Sequence, residues 1–500
     1  MTQGRRAAAV RLAALVALIT ALGLGAAPAG AAVDTEVGIA DDAQMLYEGP
    51  EAAARAAAAW KAMGIDSVRI HARWAFIAPR PLDRTMPHGF RPRDPADPGY
   101  NFSLLDRAIT LLEANGIKPL VAITGSGPVW TSREPAFDNP RYKPDPRMFG
   151  DFARAVATRY KGRVARYLVW NEPNQAGWLQ PQFTCKGRIC IPLAPHLYRE
   201  LYRAASTAIR DVDPSAEVLI GTLAPRGQAP SRRNATMRPL QFIRSLGCVK
   251  AAYARDRTGP CRTARPVIAS GFSYHPHPVG LRPDQHDQQA DNAAIGDTRR
   301  LEKALDRTTA AGILKPTVGA RFNLFFTEFG YQTNPPDPTI GISTRNQAAW
   351  IQWASYLAWR DPRVKMLTQY EWIDEPVKTA SRSLDQFAGW QSGMLFVDRR
   401  PKPLARAFPN PFFVDPLPGR RARFWGQVRP GGASTIALQQ AEGSSWKTLQ
   451  LMTTNTHGYW YIDRPLPKAA RFRFVYQQAA EPGRIPKTVT SLSQRVTPRT

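Results

Sequence analysis

Two glutamates, each at the end of an apolar run, are the residues best suited to chemistry in this sequence. Glu172 lies in the segment WNEPN (170–174), and Glu328 lies in the segment FFTEFG (325–330). A carboxylate at the end of a buried strand is costly to place unless something uses it. The spacing and setting of the two side chains therefore point to a shared site.

The pair has the residue types that cleavage of a glycosidic bond requires. Retaining hydrolysis uses one carboxylic acid to protonate the leaving oxygen, and a carboxylate ~5–5.5 Å away to attack the anomeric carbon. Burial and a neighbouring negative charge favour the protonated form that the acid needs near neutral pH. Either glutamate alone could be a salt-bridged strand end, but two carboxylates that meet across one barrel mouth favour catalysis.

The elements that must position these side chains follow an alternating pattern. Short apolar strands alternate with helical stretches, as in a parallel α/β fold. We expect strands at 37–40, 67–71, 119–124, 164–169, 217–221, 266–274, 322–327 and 364–369, and helices at 51–63, 104–114, 151–160, 195–212, 298–311 and 345–359. Eight such strands predict a closed (β/α)8 TIM barrel, in which strands four and seven face each other across the mouth. A doubly wound open sheet is the rival, but residues 37–44 lack its glycine-rich turn.

The pattern changes after the barrel. We assign 33–415 to the barrel domain, 419–478 to a small C-terminal antiparallel β-sandwich, and 479–500 to a polar tail. Residues 419–500 contain 13 Lys and Arg against 3 Asp and Glu. Trp425, Trp446 and Trp460 are spread through the sandwich, which favours a bracing role over carbohydrate binding.

The first 32 residues have the composition of an export signal. Arg5, Arg6 and Arg11 precede an uncharged run at 12–24, and small residues follow at 29–32. The run is shorter than the ~20 residues of a membrane-spanning helix, although an uncleaved anchor is the alternative. We expect a secreted or cell-envelope protein with no transmembrane segment after cleavage.

Four cysteines agree with export. They form two close pairs, Cys185 with Cys190 and Cys248 with Cys261, which predict two local disulfides among three connectivities. A zinc site is the alternative, but neither pair has CxxC spacing or a nearby His.

The formal charge of +27 leaves +24 once residues 1–32, with three Arg and no acid, are removed. Such a charge predicts that acidic glycans are accepted or preferred, or that the protein attaches to an anionic envelope; an arginine-rich proteome would give the same number. The basic residues are scattered without a finger or basic helix, so we expect no nucleic-acid partner. We expect a monomer.

The two glutamate segments together resemble the retaining (β/α)8 glycoside hydrolases of clan A, in the manner of families 5 and 39. The resemblance covers roughly residues 35–412 and extends to YNFSLLD (100–106) and to GMLF (393–396) with PKP (401–403). It implies that Glu172 is the acid/base and Glu328 the nucleophile. It implies no cofactor and no metal.

The resemblance also assigns sugar contacts. Asn171 would bind the 2-hydroxyl, Arg69 would hold the nucleophile ionised, and Trp372 would be a stacking platform. Trp130 would stack one subsite away, or would be a core residue. Tyr274 and His275 match the family's His and Tyr near the nucleophile, whereas His277 replaces the expected second aromatic hydroxyl, which leaves open which of the three contacts Glu328. Further carboxylates at the mouth are Asp41, Asp42 and Glu371.

Three functional hypotheses follow. The leading one is a secreted retaining glycoside hydrolase that acts on a polysaccharide or oligosaccharide. A non-catalytic carbohydrate-binding envelope protein and a transglycosylase with the same glutamates are the alternatives. Metal binding by His275 and His277 is a minor alternative, because the sequence shows no acidic or Cys ligand beside them.

Overall fold

A computed structural model describes residues 34–380, 386–478 and 487–499. Eight parallel strands close into a barrel, each hydrogen-bonded to its neighbours in sequence, with the last beside the first. These strands are β1 Glu36–Ala40, β2 Ser67–Arg73, β3 Lys118–Thr124, β4 Arg166–Val169, β5 Glu217–Leu223, β6 Gly271–Tyr274, β7 Leu324–Phe329 and β8 Val364–Tyr370. The predicted TIM barrel is confirmed, while the predicted export signal at 1–32 lies outside the described residues.

A helix follows each barrel strand. The helices are α1 Pro50–Ala62, α2 Ser103–Ala114, α3 Pro146–Arg159, α4 Ala194–Val212, α5 Pro239–Leu246, α6 Thr298–Ala311, α7 Thr344–Arg360 and α8 Pro403–Ala407. Helix α3 begins five residues before its predicted start, because the Asp145 side chain accepts hydrogen bonds from the N–H groups of Arg147 and Met148 and caps it. Helices α5 and α8 were not predicted.

The predicted sixth strand at 266–274 is two strands with different partners. Gly271–Tyr274 enters the barrel as β6, whereas Val267–Ala269 pairs with Leu314–Pro316 outside it. The apolar composition of both pieces hides the break at Ser270, which donates its hydroxyl group's role to the neighbouring strand by accepting from the N–H of Val218 at 3.0 Å.

Side chains alternate between the inside of the barrel and the helices, as the pleat requires. A buried apolar layer fills the barrel interior, composed of Leu120, Ala122, Leu168, Leu219, Phe325 and Met366. The polar side chains at the carboxyl ends of the strands therefore rest on a packed floor rather than on an open pore.

The C-terminal region is a β-sandwich. One sheet contains β9 Phe412–Leu417, β10 Arg421–Gln427 and β13 Tyr459–Pro465, and the other contains β11 Thr435–Glu442, β12 Ser445–Thr453, β14 Ala470–Gln478, β15 Lys487–Thr490 and β16 Gln494–Val496. The sandwich is thus larger than the predicted 419–478. Within the predicted polar tail, β15 and β16 both pair with β14, and Val496 enters the core. These short, polar strands depend on the ladder that β14 offers, so their own sequences gave little signal.

The sandwich packs against helix α7 of the barrel. Trp425 is fully buried, with its ring centroid 5.9 Å from that of Trp359 and 5.8 Å from that of Tyr356. The Tyr356 hydroxyl donates to Asp415 at 2.7 Å. Trp460 lies in the sandwich core, and Trp446 is half-buried beneath Arg473. These contacts support the bracing role.

Both predicted disulfides are confirmed. Cys185 and Cys190 join the hairpin Phe183–Lys186/Ile189–Pro192 that precedes α4, and Cys248 and Cys261 close the segment after α5. Across the described ranges, no helix combines the length and the apolar character needed to cross a membrane.

Candidate active site

A cavity of about 340 Å³ opens at the carboxyl ends of the barrel strands. Its described lining residues are Asp42, Ala43, Tyr47, His71, Arg73, Asn171, Glu172, Trp178, Glu328, Tyr370, Glu371, Glu375 and Trp390. A larger hollow of about 510 Å³ lies between α3 and α4, but it is an open surface of helix side chains far from the strand ends. The converging carboxylates and aromatic rings make the smaller cavity the candidate site.

Glu172 and Glu328 approach each other through one imidazole. The Nδ1 atom of His275 lies 3.1 Å from Oε1 of Glu172 and 3.5 Å from Oε2 of Glu328. The sum of these two distances, 6.6 Å, is the upper limit for the separation of the two carboxylate oxygens. The sequence prediction that these two glutamates meet across the barrel mouth agrees with this geometry.

Glu328 is buried among cationic and hydrogen-bonding groups. Its Oε1 atom lies 2.8 Å from Nη2 of Arg69, and its Oε2 atom lies 3.4 Å from Nε2 of His277. Burial opposes ionisation, but the charge of Arg69 and the contacts with His275 and His277 outweigh it and hold the pKa of Glu328 well below its usual value. Glu328 is therefore an ionised carboxylate with its charge facing the cavity.

Arg69 is itself held by a chain of side chains. Its Nη1 atom donates to Nε2 of His71 at 2.6 Å, and the Nδ1 atom of His71 lies 2.5 Å from Oδ2 of Asp42. Because a guanidinium only donates, Nε2 of His71 accepts and its Nδ1–H donates to Asp42. Burial opposes ionisation of Asp42, and the contact with His71 outweighs it, so the pKa of Asp42 is lowered.

The WNEPN segment divides between anchoring and catalysis. Asn174 is fully buried, where its amide donates to the carbonyl groups of Ala224 and Met237 and its oxygen accepts from the N–H of Ala224. Trp170 is also fully buried. Asn171 and Glu172 line the cavity between these two anchors.

The backbone of this segment is strained at the site. Trp170 has φ +71° and Glu172 has φ +36°, in the left-handed region that non-glycine residues rarely adopt. Such conformations cost of order 1–3 kcal/mol each and persist where the surroundings enforce them, commonly at functional sites. Gly125 makes room for the fold of the segment, because a Cβ atom there would lie 2.2 Å from the Trp170 ring.

The remaining sequence-predicted contacts separate into two groups. Asn171 is 4% exposed, and its Oδ1 atom has no hydrogen-bond partner within the described part of the chain, as a sugar contact requires. His275 and His277 both contact Glu328, whereas the hydroxyl of Tyr274 donates to the carbonyl of Ala293 at 2.8 Å. This answers which of the three aromatic side chains reach the nucleophile position.

Neither predicted stacking tryptophan lies in the cavity wall. The Trp372 ring packs edge-on against Trp60 of α1, with 6.0 Å between centroids, and its N–H group donates to Asp41. Trp130 is buried, and its indole donates to the carbonyl of Pro79 at 3.1 Å. Among the described lining residues, the tryptophans are Trp178 and Trp390.

Sequence reasoning missed several lining residues, of which two had a usable signal. His71 and Arg73 follow Arg69 at intervals of two on β2, so the pleat directs all three to the barrel interior. The others lie in loops or at a strand end, where no periodicity predicts direction: Tyr47, Trp178, Tyr370, Glu375 and Trp390.

One group of side chains near the nucleophile position could hold a metal ion. His275, His277 and Glu328 offer ligand atoms within 4.8 Å of one another, so Glu328 is the acidic neighbour that the sequence did not reveal. The guanidinium of Arg69 already contacts Glu328 and competes with a cation there.

Comparisons with known proteins concern the fold. No protein-family model and no curated protein matches the sequence. A family 39 glycoside hydrolase from Bacteroides cellulosilyticus is 14% identical, with 87% of this chain and 80% of that chain covered and a TM-score of 0.47. A glucosidase from Croceicoccus marinus is 12% identical, with 88% and 94% covered and a TM-score of 0.48.

GH5_18 from Streptomyces cattleya, in complex with GlcNAc, is 16% identical, with 76% of this chain and 79% of that chain covered and a TM-score of 0.47. At identities and TM-scores this low, the solved structures describe what the chain is similar to in fold. The chemistry is therefore inferred from the side chains of the cavity.

Proposed function

We propose that this protein is a secreted retaining glycoside hydrolase in which Glu172 is the acid/base and Glu328 is the nucleophile. The observation that carries this proposal is the single nitrogen of His275 shared by both carboxylates, which limits their oxygens to a separation of 6.6 Å. Inverting enzymes hold their carboxyl groups ~6.5–9.5 Å apart to admit a water, and retaining enzymes hold them ~5–5.5 Å apart. The observed limit excludes nearly all of the inverting range.

The surroundings suit the two roles. Arg69 keeps Glu328 ionised, so that it can attack the anomeric carbon. Glu172 protonates the leaving oxygen, and then takes a proton from the water that releases the sugar from Glu328. The amide of Gln175 donates to Oε2 of Glu172 at 3.2 Å and orients that carboxyl group.

The cavity favours an uncharged sugar at the reacting position. Its described walls carry the carboxyl groups of Asp42, Glu172, Glu328, Glu371 and Glu375, with Arg73 as the arginine that lines it. A carboxylate on the bound sugar would be repelled by this set. The acidic glycans expected from the net charge would therefore bind with their charged units outside the cavity. Two disulfides support export, because they persist in oxidising compartments.

Substitution of each glutamate tests the proposal. Glu172→Gln is expected to lower kcat/KM on oligosaccharides by about 10²–10⁴-fold, as loss of a general acid does. Glu328→Gln removes the nucleophile and is expected to abolish turnover. Glu200→Gln, on the exposed side of α4, is the matched control and should retain wild-type activity.

The anomer of the first product decides the mechanism. Proton NMR during hydrolysis should show the configuration of the substrate retained. An inverted product would contradict the nucleophile role of Glu328. A wild type that binds glycans without cleaving any member of a broad panel would favour the non-catalytic hypothesis, and products longer than the substrate would indicate transfer to an acceptor sugar.

A further inference from the structure

A third glutamate, Glu371, reaches the cavity from the end of β8. It lines the cavity beside Glu328 and is only 4% exposed. Its Oε2 atom is buried and has no hydrogen-bond partner in the parts of the chain that the structure describes. A buried polar atom without a partner is costly, so this carboxyl group calls for a ligand.

The groups that face Glu371 are predominantly acidic. Asp41 approaches from the end of β1, Glu328 from β7, and Asp374 and Glu375 from the segment after β8. Burial and these four neighbours raise the pKa of Glu371 well above its usual value. Ionisation of Glu371 would place one more negative charge among them.

The nearby cations are already engaged. Lys402 uses its three N–H donors on Oγ1 of Thr333 at 2.9 Å, Oδ1 of Asp374 at 2.6 Å and the carbonyl of Gln391 at 3.1 Å. The terminal nitrogens of Arg69 contact Glu328 and His71. Neither cation has a terminal donor left that could compensate a charge on Glu371.

Asp41 shows by contrast what an ionised neighbour requires. Its carboxylate accepts from the N–H groups of Gln44 at 3.1 Å and of Trp372 and Ile373 at 3.2 Å each. Burial still raises the pKa of Asp41 to about 7 against these bonds. The Glu371 carboxyl group receives no such bonds from the described residues, so the shared negative charge rests on Asp41.

We propose that Glu371 is a neutral carboxylic acid whose O–H donates a hydrogen bond to a hydroxyl oxygen of an uncharged sugar held between Glu172 and Glu328. The proposal makes Glu371 a specificity-determining residue, and it rests on the proposed glycosidase function. A protonated carboxyl group has one donor, which its buried oxygen directs to the only open side, the cavity. Staying neutral, Glu371 also avoids raising the proton affinity of the nucleophile.

The protonation state is tested without any substrate. A wild-type minus Glu371→Gln infrared difference spectrum at neutral pH should contain the carbonyl stretching band of a protonated carboxyl group. The same spectrum for Glu200→Gln should contain only carboxylate bands, because Glu200 is exposed on α4. Carboxylate bands in the Glu371 spectrum would overturn the proposal.

The sugar contact is tested with the best-bound oligosaccharide of a glycan panel. Glu371→Ala is expected to weaken its binding by about tenfold to a hundredfold, as loss of a buried hydrogen bond does. Glu371→Gln restores a donor and should recover most of that loss. Wild-type affinity should fall as pH rises through the pKa of Glu371, and the Gln variant should lack that fall. Thermal unfolding checks that both variants are folded.

The outcomes separate this proposal from the proposed function. If the wild type cleaves glycans while Glu371→Gln is as impaired as Glu371→Ala, the neutral donor is wrong and the hydrolase stands. If the wild type neither binds nor cleaves any glycan, the sugar contact fails together with the hydrolase, and the infrared band still decides the protonation state.

Discussion

Arg69 determines the charge state of the candidate nucleophile. It is 2% exposed and lies 2.8 Å from Glu328, with His71 and Asp42 fixing its other side. A buried ion pair costs desolvation of both partners, so its removal from one side leaves a charge that nothing compensates. The same contact therefore affects both catalysis and stability.

Replacing Arg69 by Met is expected to move the acid limb of the kcat/KM profile to higher pH. The pKa of Glu328 lies below its usual value in the wild type, and loss of the guanidinium raises it, so the nucleophile protonates at a higher pH. We expect the free energy of unfolding to fall by about 3–5 kcal/mol at neutral pH. The pH–rate profile and urea unfolding measure the two effects.

The sign of the stability effect follows from linkage. A lowered pKa in the folded state stabilises the protein above the unfolded pKa of the carboxyl group, and this stability is lost as pH falls through the folded pKa. Adding Glu328→Gln to Arg69→Met should restore part of the stability, because no charge is then left buried. Arg80→Met, at an exposed ion pair with Asp83, is the control. An unchanged acid limb in Arg69→Met would show that Arg69 does not set the ionisation of Glu328.

Among the elements, strands were predicted better than the segments between them. The ends of β4 and β7 carry Glu172 and Glu328 because an apolar run with period-two burial can be read directly from sequence. The same periodicity on β2 would have revealed His71 and Arg73 beside Arg69. Trp372 was misplaced because it comes after the end of β8, where the pleat no longer fixes the direction of a side chain.

Partners chosen by tertiary packing could not be predicted. The aromatic rings of Trp178 and Trp390 reach the cavity from loops, and the Trp390 ring centroid lies 4.4 Å from that of His277. The strand β15 exists because β14 offers it a ladder, not because its residues favour a strand strongly. Local sequence specifies the frame of the site, and long-range contacts complete its walls.

The contact between α7 and β10 is expected to couple the barrel to the sandwich. Trp425→Ala leaves a cavity against Tyr356 and Trp359 and should lower the free energy of unfolding by about 3–5 kcal/mol. Far-UV circular dichroism and tryptophan fluorescence should follow a single urea transition in both the wild type and this variant. Trp446→Ala, at a half-buried position, should have a much smaller effect. Separate transitions, with only the β-rich part destabilised, would contradict the bracing role.

At the scale of the whole molecule, the charge of the surface and that of the cavity have opposite signs. The chain carries a formal charge of +27, and residues 419–500 contribute 13 basic against 3 acidic side chains. The cavity wall is instead rich in carboxyl groups. Long-range attraction of an acidic polymer and selection of the sugar that reacts are therefore separate properties of this protein.

Salt is expected to separate these two properties. Raising the ionic strength from about 0.01 to 0.15 M shortens the Debye length from about 30 to 8 Å. We therefore expect KM for an acidic polysaccharide to rise by about tenfold at nearly constant kcat, while kcat/KM for a short neutral substrate changes little. Initial rates across a salt series provide the measurement. The triple variant R421Q/R471Q/R495Q removes three exposed charges of the sandwich and should flatten the salt dependence. The triple variant R232Q/R262Q/R265Q removes as many exposed charges from the barrel domain. An equal effect of both would assign the attraction to net charge alone, and cleavage of neutral glycans only, at every ionic strength, would show that acidic glycans are not substrates.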